Sequence, residues 1–383
     1  MKDIIGNLQT KYSFLHEGAK RFLTAMSGVP DRIPVYAQMH ELAMKESGAN
    51  AKKFYTTPEV LVTSTLELME KFCLDVPYIV YDVYNIEAEA LGQKILYSDN
   101  GIPDIDRSQP LIRDKDDLKK IKTPNFESDG RFANVIEMHR IFRKLTGGTK
   151  PAFWFCGPFT LAANIRGIEQ LLMDLYNEPD LAKNLLDRVT EEVLAPWILR
   201  LKKEFIDGKV ESGSNDTAHF PALSPTILGA DAIASIPIVS PSILKEWVVP
   251  YVSRLRELCG PEVCVFNWVG ERNLKNPGEM IDLKLEASQG FIIGQDPDVE
   301  VLGPAFYKRY AEKKGIPLVL GIGAVFMVES TPKEVADRVK HYVEVGGENG
   351  RFALYLCNLG ATTPAENIRA AIDAAHRFGT YKT

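Results

Sequence analysis

The feature that most restricts the fold is a rhythm. Short apolar runs alternate with longer amphipathic stretches from one end of the chain to the other. The runs fall at residues 33–38 (IPVYAQ), 78–84 (YIVYDVY), 152–156 (AFWFC), 232–236, 263–268, 290–294, 318–325 and 352–356. Each leads through turn residues into a segment with helical spacing. Within residues 59–73, Leu61, Thr65, Leu68 and Phe72 recur at steps of four, three and four, which marks one buried helix face. Thr331-Pro332-Lys333-Glu334 and Thr363-Pro364-Ala365-Glu366 each read as a helix start. In both, Thr is the cap, Pro opens the first turn and Glu closes a capping box. No hairpin signal joins the runs, and parallel strands need helical crossovers. Eight such units predict a single α/β domain of the (β/α)8 TIM-barrel type. The rival, an open doubly wound sheet, wants a glycine-rich phosphate loop after its first strand, and residues 35–41 carry none. No Pro/Gly/Ser-rich linker separates two cores. The expected organisation is an N-terminal helical extension over residues 1–30 and one barrel over 31–383.

Composition narrows the function classes. With 383 residues, 45% of them apolar, the chain can bury a large core. Its 45 Lys and Arg against 51 Asp and Glu leave a net charge of -6, so nucleic acid and anionic membranes are not expected partners. The longest nearly apolar run, residues 317–328, has 12 residues where a bilayer needs roughly 20. Met1-Lys2-Asp3 opens without an apolar signal segment, so a cytoplasmic location is expected. The five cysteines include no CxxC pair; Cys73, Cys156 and Cys264 read as small core hydrophobes.

Two polar stretches, residues 99–127 and 207–225, read as coverings for the carboxyl end of the barrel, the second carrying His219. Polar groups expected at strand ends are His40 and Glu41, Asp82, Asn164, Asn267 and Glu271, then Gln295, Asp296, Asp298, Cys357 and Asn358. His40 stands beside Glu41 at a strand end, unlike His16, His139, His341 and His376, which lie in helical patterns and read as structural. Asp296 and Asp298 read either as proton-handling or cation-binding carboxylates, or as a turn residue and a helix cap. Tyr36, Tyr84, Trp268 and Phe326 would make an apolar pocket for a flat neutral molecule, whereas Phe159 reads as core.

Several motifs then occur in a specific order. They are Arg32-Ile33-Pro34-Val35-Tyr36, Tyr81-Asp82 with Glu87-Ala88-Glu89-Ala90-Leu91-Gly92, and Gly157-Pro158-Phe159-Thr160-Leu161-Ala162. Gly229-Ala230-Asp231-Ala232-Ile233, Ser240-Pro241 through Pro250-Tyr251, and the two Thr-Pro helix starts follow. In this the chain resembles the uroporphyrinogen decarboxylase superfamily, which implies a (β/α)8 barrel with its site at the carboxyl end. The porphyrin decarboxylase holds its polyanionic substrate with arginines just after the first strand. Here that segment is Tyr36-Ala37-Gln38-Met39-His40-Glu41-Leu42-Ala43, with no Arg. Asn164 stands where that enzyme has Tyr and Ala361 where it has His; Asp82 is retained. The zinc-dependent methyltransferase branch carries His-x-Cys-Gly on the fifth strand, where this chain has Asn267-Trp268-Val269-Gly270, while Cys357 matches the branch's last Cys.

The resemblance therefore implies a methyltransferase that takes a methyl group from a small methoxyaromatic and hands it to cobalamin on a separate corrinoid protein. No Asp-x-His-x-x-Gly corrinoid motif occurs in the chain, so the corrinoid would come with that partner. His40, Glu41, Asp82 and Asp296 would be the acid/base or metal groups, Asn164 and Asn267 would orient the substrate, and Cys357 would be a zinc ligand. The alternative is a decarboxylase-type lyase acting on a small non-porphyrin acid. The family also implies a homodimer.

Overall fold

Strand sequences built almost wholly of apolar residues demand burial on both faces, the condition of a parallel sheet flanked by helices. The computed structural model describes residues 12–99, 101–206, 227–265, 267–288 and 290–381. In chain order its strands are β1 (Val35–Ala37), β2 (Ile95–Leu96), β3 (Asp104–Ile105), β4 (Phe153–Cys156) and β5 (Ile227–Ala230). They continue with β6 (Val263–Val265), β7 (Ile292–Gln295), β8 (Leu318–Ile322) and β9 (Phe352–Leu356). All but β2 and β3 pair in parallel, in two arcs ordered β1-β9-β8-β7 and β4-β5-β6. Val35 pairs with Leu354, Leu318 with Phe352 and Ile292 with Leu318 in the first arc. Phe153 pairs with Ile227, and Ile227 with Val263, in the second. The expected α/β barrel architecture holds, with its ladders in two arcs rather than one continuous ring.

Residues 78–84 fill the place between β1 and β4 without a ladder of their own. The Tyr81 hydroxyl explains this. It donates to the Trp154 carbonyl at 2.6 Å and accepts from the Trp154 N–H at 3.0 Å. A side chain thus takes the two backbone groups a neighbouring strand would have used. The other departures are also local. Residues 232–236 form turns, and the strand lies earlier, at β5. A Cβ on Gly229 would come within 2.5 Å of Val265 and 2.6 Å of the Phe155 ring, so this strand is squeezed between β4 and β6 and its small residues mask it in the sequence. The antiparallel pair β2–β3 stands within and beside the first polar stretch. Residues 207–225, with His219, lie outside the described residues. Cys73 is exposed rather than core, with a left-handed φ of 52° just past helix Pro58–Lys71; Cys156 and Cys264 are buried.

One of the two predicted capping boxes forms. Thr331 and Glu334 form the expected capping box on helix Pro332–Gly346. At the second site the helix instead begins at Ala365, because Thr363 is itself buried and Asn367 donates to the Met327 and Ser330 carbonyls.

Helix Phe14–Ser27 sits at the amino end of the strands. Asp75 fastens it there. Its carboxylate meets Arg21 at 2.6 Å and Arg32 at 2.7 Å, and accepts the Val35 N–H at 3.0 Å. Burial pushes the Asp75 carboxyl up, but His376, Arg32 and the Val35 N–H outweigh it and hold the group below its usual pKa. Among the described residues no helix is long and apolar enough to cross a membrane.

Candidate active site

A cavity of about 590 Å³ lies inside the ring of strands. Its walls draw on every strand position: Tyr36 and Gln38 at β1, the 76–84 segment, Trp154, Ala230, Asn267, Gln295, Val319 and Tyr355. His40, Glu41 and Asn358 line it at the carboxyl ends, where ligands of such barrels bind. Ile102 reaches it from the first polar stretch, so that segment does contribute to covering the mouth. Among the described residues no Lys or Arg lines the cavity.

Asp82 is the most developed of the predicted groups. It is buried in the wall and accepts from Arg131 at 2.6 Å through Oδ2 and from the Asn85 amide at 2.6 Å through Oδ1. Arg131 also meets Glu89 at 2.5 Å. Burial pushes the Asp82 carboxyl up to about 6, the Arg131 charge opposing it. Behind the wall stand two buried carboxyls to which the sequence reading gave no role. Glu87 accepts the Cys156 N–H at 3.1 Å through Oε1, its Oε2 has no hydrogen-bond partner, and burial raises it to about 8. Asp231 accepts the Thr160 N–H at 2.7 Å and is raised to about 6 by burial. Gly157 permits that approach, since a Cβ there would fall 2.4 Å from the Asp231 side chain.

His40 opens helix His40–Ser47, buried, with Nδ1 at 2.7 Å from the Tyr55 hydroxyl and Nε2 at 3.2 Å from the Gln38 amide. Burial lowers its pKa to about 4, so it is a neutral imidazole at physiological pH. Glu41, half-buried at the cavity edge, is raised by burial. The two asparagines converge on Tyr84. Asn267 donates to the Tyr84 hydroxyl at 2.8 Å and accepts the Asp231 N–H at 2.7 Å. Asn164 lies off the cavity and donates to the Tyr84 carbonyl at 2.7 Å. Both therefore orient Tyr84. The Tyr84 phenol is raised by burial and stays protonated, and its oxygen already accepts, which leaves its own proton for a guest. The sequence reading took Tyr84 only as an aromatic wall; its place two residues after Asp82 was the available signal.

Other predicted groups are elsewhere. Asp296 is held by the Tyr342 hydroxyl at 2.5 Å, the Gly323 N–H at 3.1 Å and Arg338 at 3.2 Å, away from the cavity lining. Asp298 accepts the Gly270 N–H at 2.7 Å and pairs with Arg272 at 2.7 Å, tying the loops after β6 and β7. Glu271 is buried against Lys284 at 2.8 Å and Tyr307 at 2.9 Å. Trp268 and Phe159 are core. Phe326 stacks under the Arg338 guanidinium, 3.8 Å away, rather than facing the cavity.

Cys357 does not meet the needs of zinc. Its thiol is buried, raised well above its usual pKa by that burial, and donates to the side-chain Oε1 of Gln295 at 3.5 Å. Zinc takes a thiolate with imidazole, carboxylate or further thiolate donors. Among the described residues no three His, Cys, Asp or Glu side chains are grouped to share a metal.

Residues 17–200 match the uroporphyrinogen decarboxylase (URO-D) family. A uroporphyrinogen decarboxylase of Xanthomonas axonopodis is 22% identical over 260 residues, 62% of this chain and 64% of that enzyme. This alignment spans just under two thirds of the relative's own length. A methylated-thiol–coenzyme M methyltransferase of Methanosarcina mazei is 24% identical over 293 residues, 76% of this chain and 69% of the relative. A solved methyltransferase from Methanosarcina mazei superposes with a TM-score of 0.73 at 21% identity, covering 94% of this chain and 98% of that one. The likeness of fold is thus nearly end to end.

Proposed function

Because the chain resembles the uroporphyrinogen decarboxylase superfamily, most directly through residues 17–200, we propose that it is a methyltransferase. It moves a methyl group from a small, neutral methoxyaromatic to a corrinoid held by a separate protein. The similarity to the Methanosarcina methyltransferase supports the reaction class. The observation that carries the substrate class is the cavity itself: its walls are largely aromatic and aliphatic, and no described Lys or Arg faces the guest. A polycarboxylated tetrapyrrole would meet Glu41 and Asp82 there with no cation to balance it.

Demethylation breaks the methyl–oxygen bond. The aryl oxygen keeps the bonding pair and needs a proton or a strong hydrogen-bond donor, because phenoxide leaves poorly. The partner's cob(I)alamin supplies the nucleophile when that protein is docked. Tyr84, held from both sides by Asn164 and Asn267, points its hydroxyl proton at the ether oxygen. The Tyr84 hydroxyl gives its proton to the departing oxygen and regains one from solvent at the mouth, while Asp82, paired with Arg131 in the wall, stays out of the transfer. The rings of Tyr36 and Tyr355, stacked on each other with 4.7 Å between centroids, give the aromatic guest one wall. The lyase alternative, favoured by the retained Asp82, ranks second because its carboxylate substrate would face two acids.

The test uses the purified protein with reduced cob(I)alamin, under anoxic conditions, and a panel of anisole, 2-methoxyphenol and 4-methoxybenzoate. Methylcobalamin forms with the neutral members and far more slowly with the carboxylate. A panel that yields none, or turnover confined to the carboxylate, refutes the reading.

A further inference from the structure

The interior of a (β/α)8 barrel is ordinarily filled by layers of side chains. Here the cavity lining runs from His40 and Asn358 at the carboxyl ends down to Ala152, Phe291 and Val319 at the amino ends. Beyond these, Phe22 and Met26 of helix Phe14–Ser27 also line it. The helix that Asp75 fastens to the barrel is therefore the floor of the cavity. Three tyrosines make a waist between the two ends: Tyr36 lies 4.7 Å from Tyr355 and 5.3 Å from Tyr78, centroid to centroid. Phe22 meets the Tyr36 ring edge-on at 5.9 Å from below. Above the waist the walls carry His40, Glu41, Asp82 and Asn267. Below it, the described lining is apolar.

We infer that this lower chamber is a binding subsite for an apolar tail of the substrate, a short alkyl or alkenyl chain, with Phe22 and Met26 setting the longest tail accepted. The inference rests on the proposed methyl transfer for one point only. A separate corrinoid protein reaches the mouth, so the reacting methyl lies outward and the opposite end of the substrate points to the floor. Among the described residues the side chains below the waist offer no charged or amide group to a polar tail, whose desolvation would go uncompensated. An apolar tail gains by leaving water, at about fourfold in affinity per methylene.

A series of 4-alkylanisoles, from methyl to hexyl, tests this by isothermal titration without any methyl acceptor. In the unaltered protein affinity rises about fourfold per added carbon and then falls at a limiting length. Phe22→Ala and Met26→Ala each move that limit to longer tails, with at least a tenfold gain for the first homologue the unaltered protein rejects. Leu23→Ala, on the same helix but off the lining, leaves the limit in place. Circular dichroism confirms which variants are folded, and either of the two lining variants suffices. Affinity that is flat along the series, no binding at all, or a limit unmoved in a folded lining variant overturns the subsite. The two readings fail separately: a moving limit without methylcobalamin formation sinks the methyl transfer, and anisole turnover without tail dependence sinks the subsite.

Discussion

Replacing Glu87 by Gln should remove a dependence of stability on pH, beside a cost that is the same at every pH. Glu87 is wholly enclosed, with one oxygen on the Cys156 N–H and the other without a hydrogen-bond partner. Enclosure raises its carboxyl from 4.5 to about 8. The folded protein therefore keeps a proton that the unfolded chain loses, and stability falls as pH rises through the window between those values. One proton changes the unfolding free energy by about 1.4 kcal/mol per pH unit. Between about pH 6 and pH 8 the contribution is about 2 kcal/mol, reduced at the upper edge as the folded form itself ionises. Glu87→Gln keeps an acceptor for Cys156 and loses the proton. Its amide leaves a buried donor unsatisfied, about 1–3 kcal/mol, at every pH. Urea unfolding followed by tryptophan fluorescence, at several pH values, measures both effects. The variant should gain about 2 kcal/mol on the parent between about pH 6 and pH 8. Curves that stay parallel across this range would show that Glu87 is not held neutral by its surroundings, and the account of the wall carboxyls would fall.

Arg131→Met strips Asp82 and Glu89 of their cation. Removing one partner of a buried ion pair costs about 3–5 kcal/mol. With its folded pKa raised further, Asp82 makes the loss larger above about pH 6 than below it, so an equal loss at both ends of the range refutes the assignment. Tyr84→Phe removes the proposed proton donor while keeping the ring. The rate of methylcobalamin formation should drop about a hundredfold with little change in KM, and an undiminished rate would exclude the hydroxyl from the reaction.

Much of the fold was legible because parallel strands buried on both faces announce themselves as apolar runs. Residues 352–356 were read to their bounds. The reading failed where small residues made a strand look like a turn, at Ile227–Ala230, and where a side chain replaced a ladder, at Tyr81. At the site, His40, Glu41, Asp82 and Asn267 do face one cavity, because residues at the carboxyl ends of barrel strands share one surface. Asn164, Asp296 and Cys357 do not, since position along a strand end does not fix which way a side chain turns. Glu87 escaped notice for a related reason. In Glu87-Ala88-Glu89-Ala90 two acids alternate with alanines as on a solvated helix face, and only the packing of helix Ile86–Ala90 under β4 reveals that the first is enclosed.

The seam between β1 and β9 bears on how the chain is made. Early and late residues are stitched together there: Ile33 donates to the Gly379 carbonyl, Tyr381 donates to that of Asp31, and Arg351 donates to that of Gly28. A ribosome releases the partners of residues 28–35 only after more than three hundred further residues have emerged. Until then the first strand has an unshielded edge, and the floor helix has no wall to rest against. Chaperone protection during synthesis would therefore matter most for this one edge, and the wall of the cavity closes only once residues 351–381 have emerged.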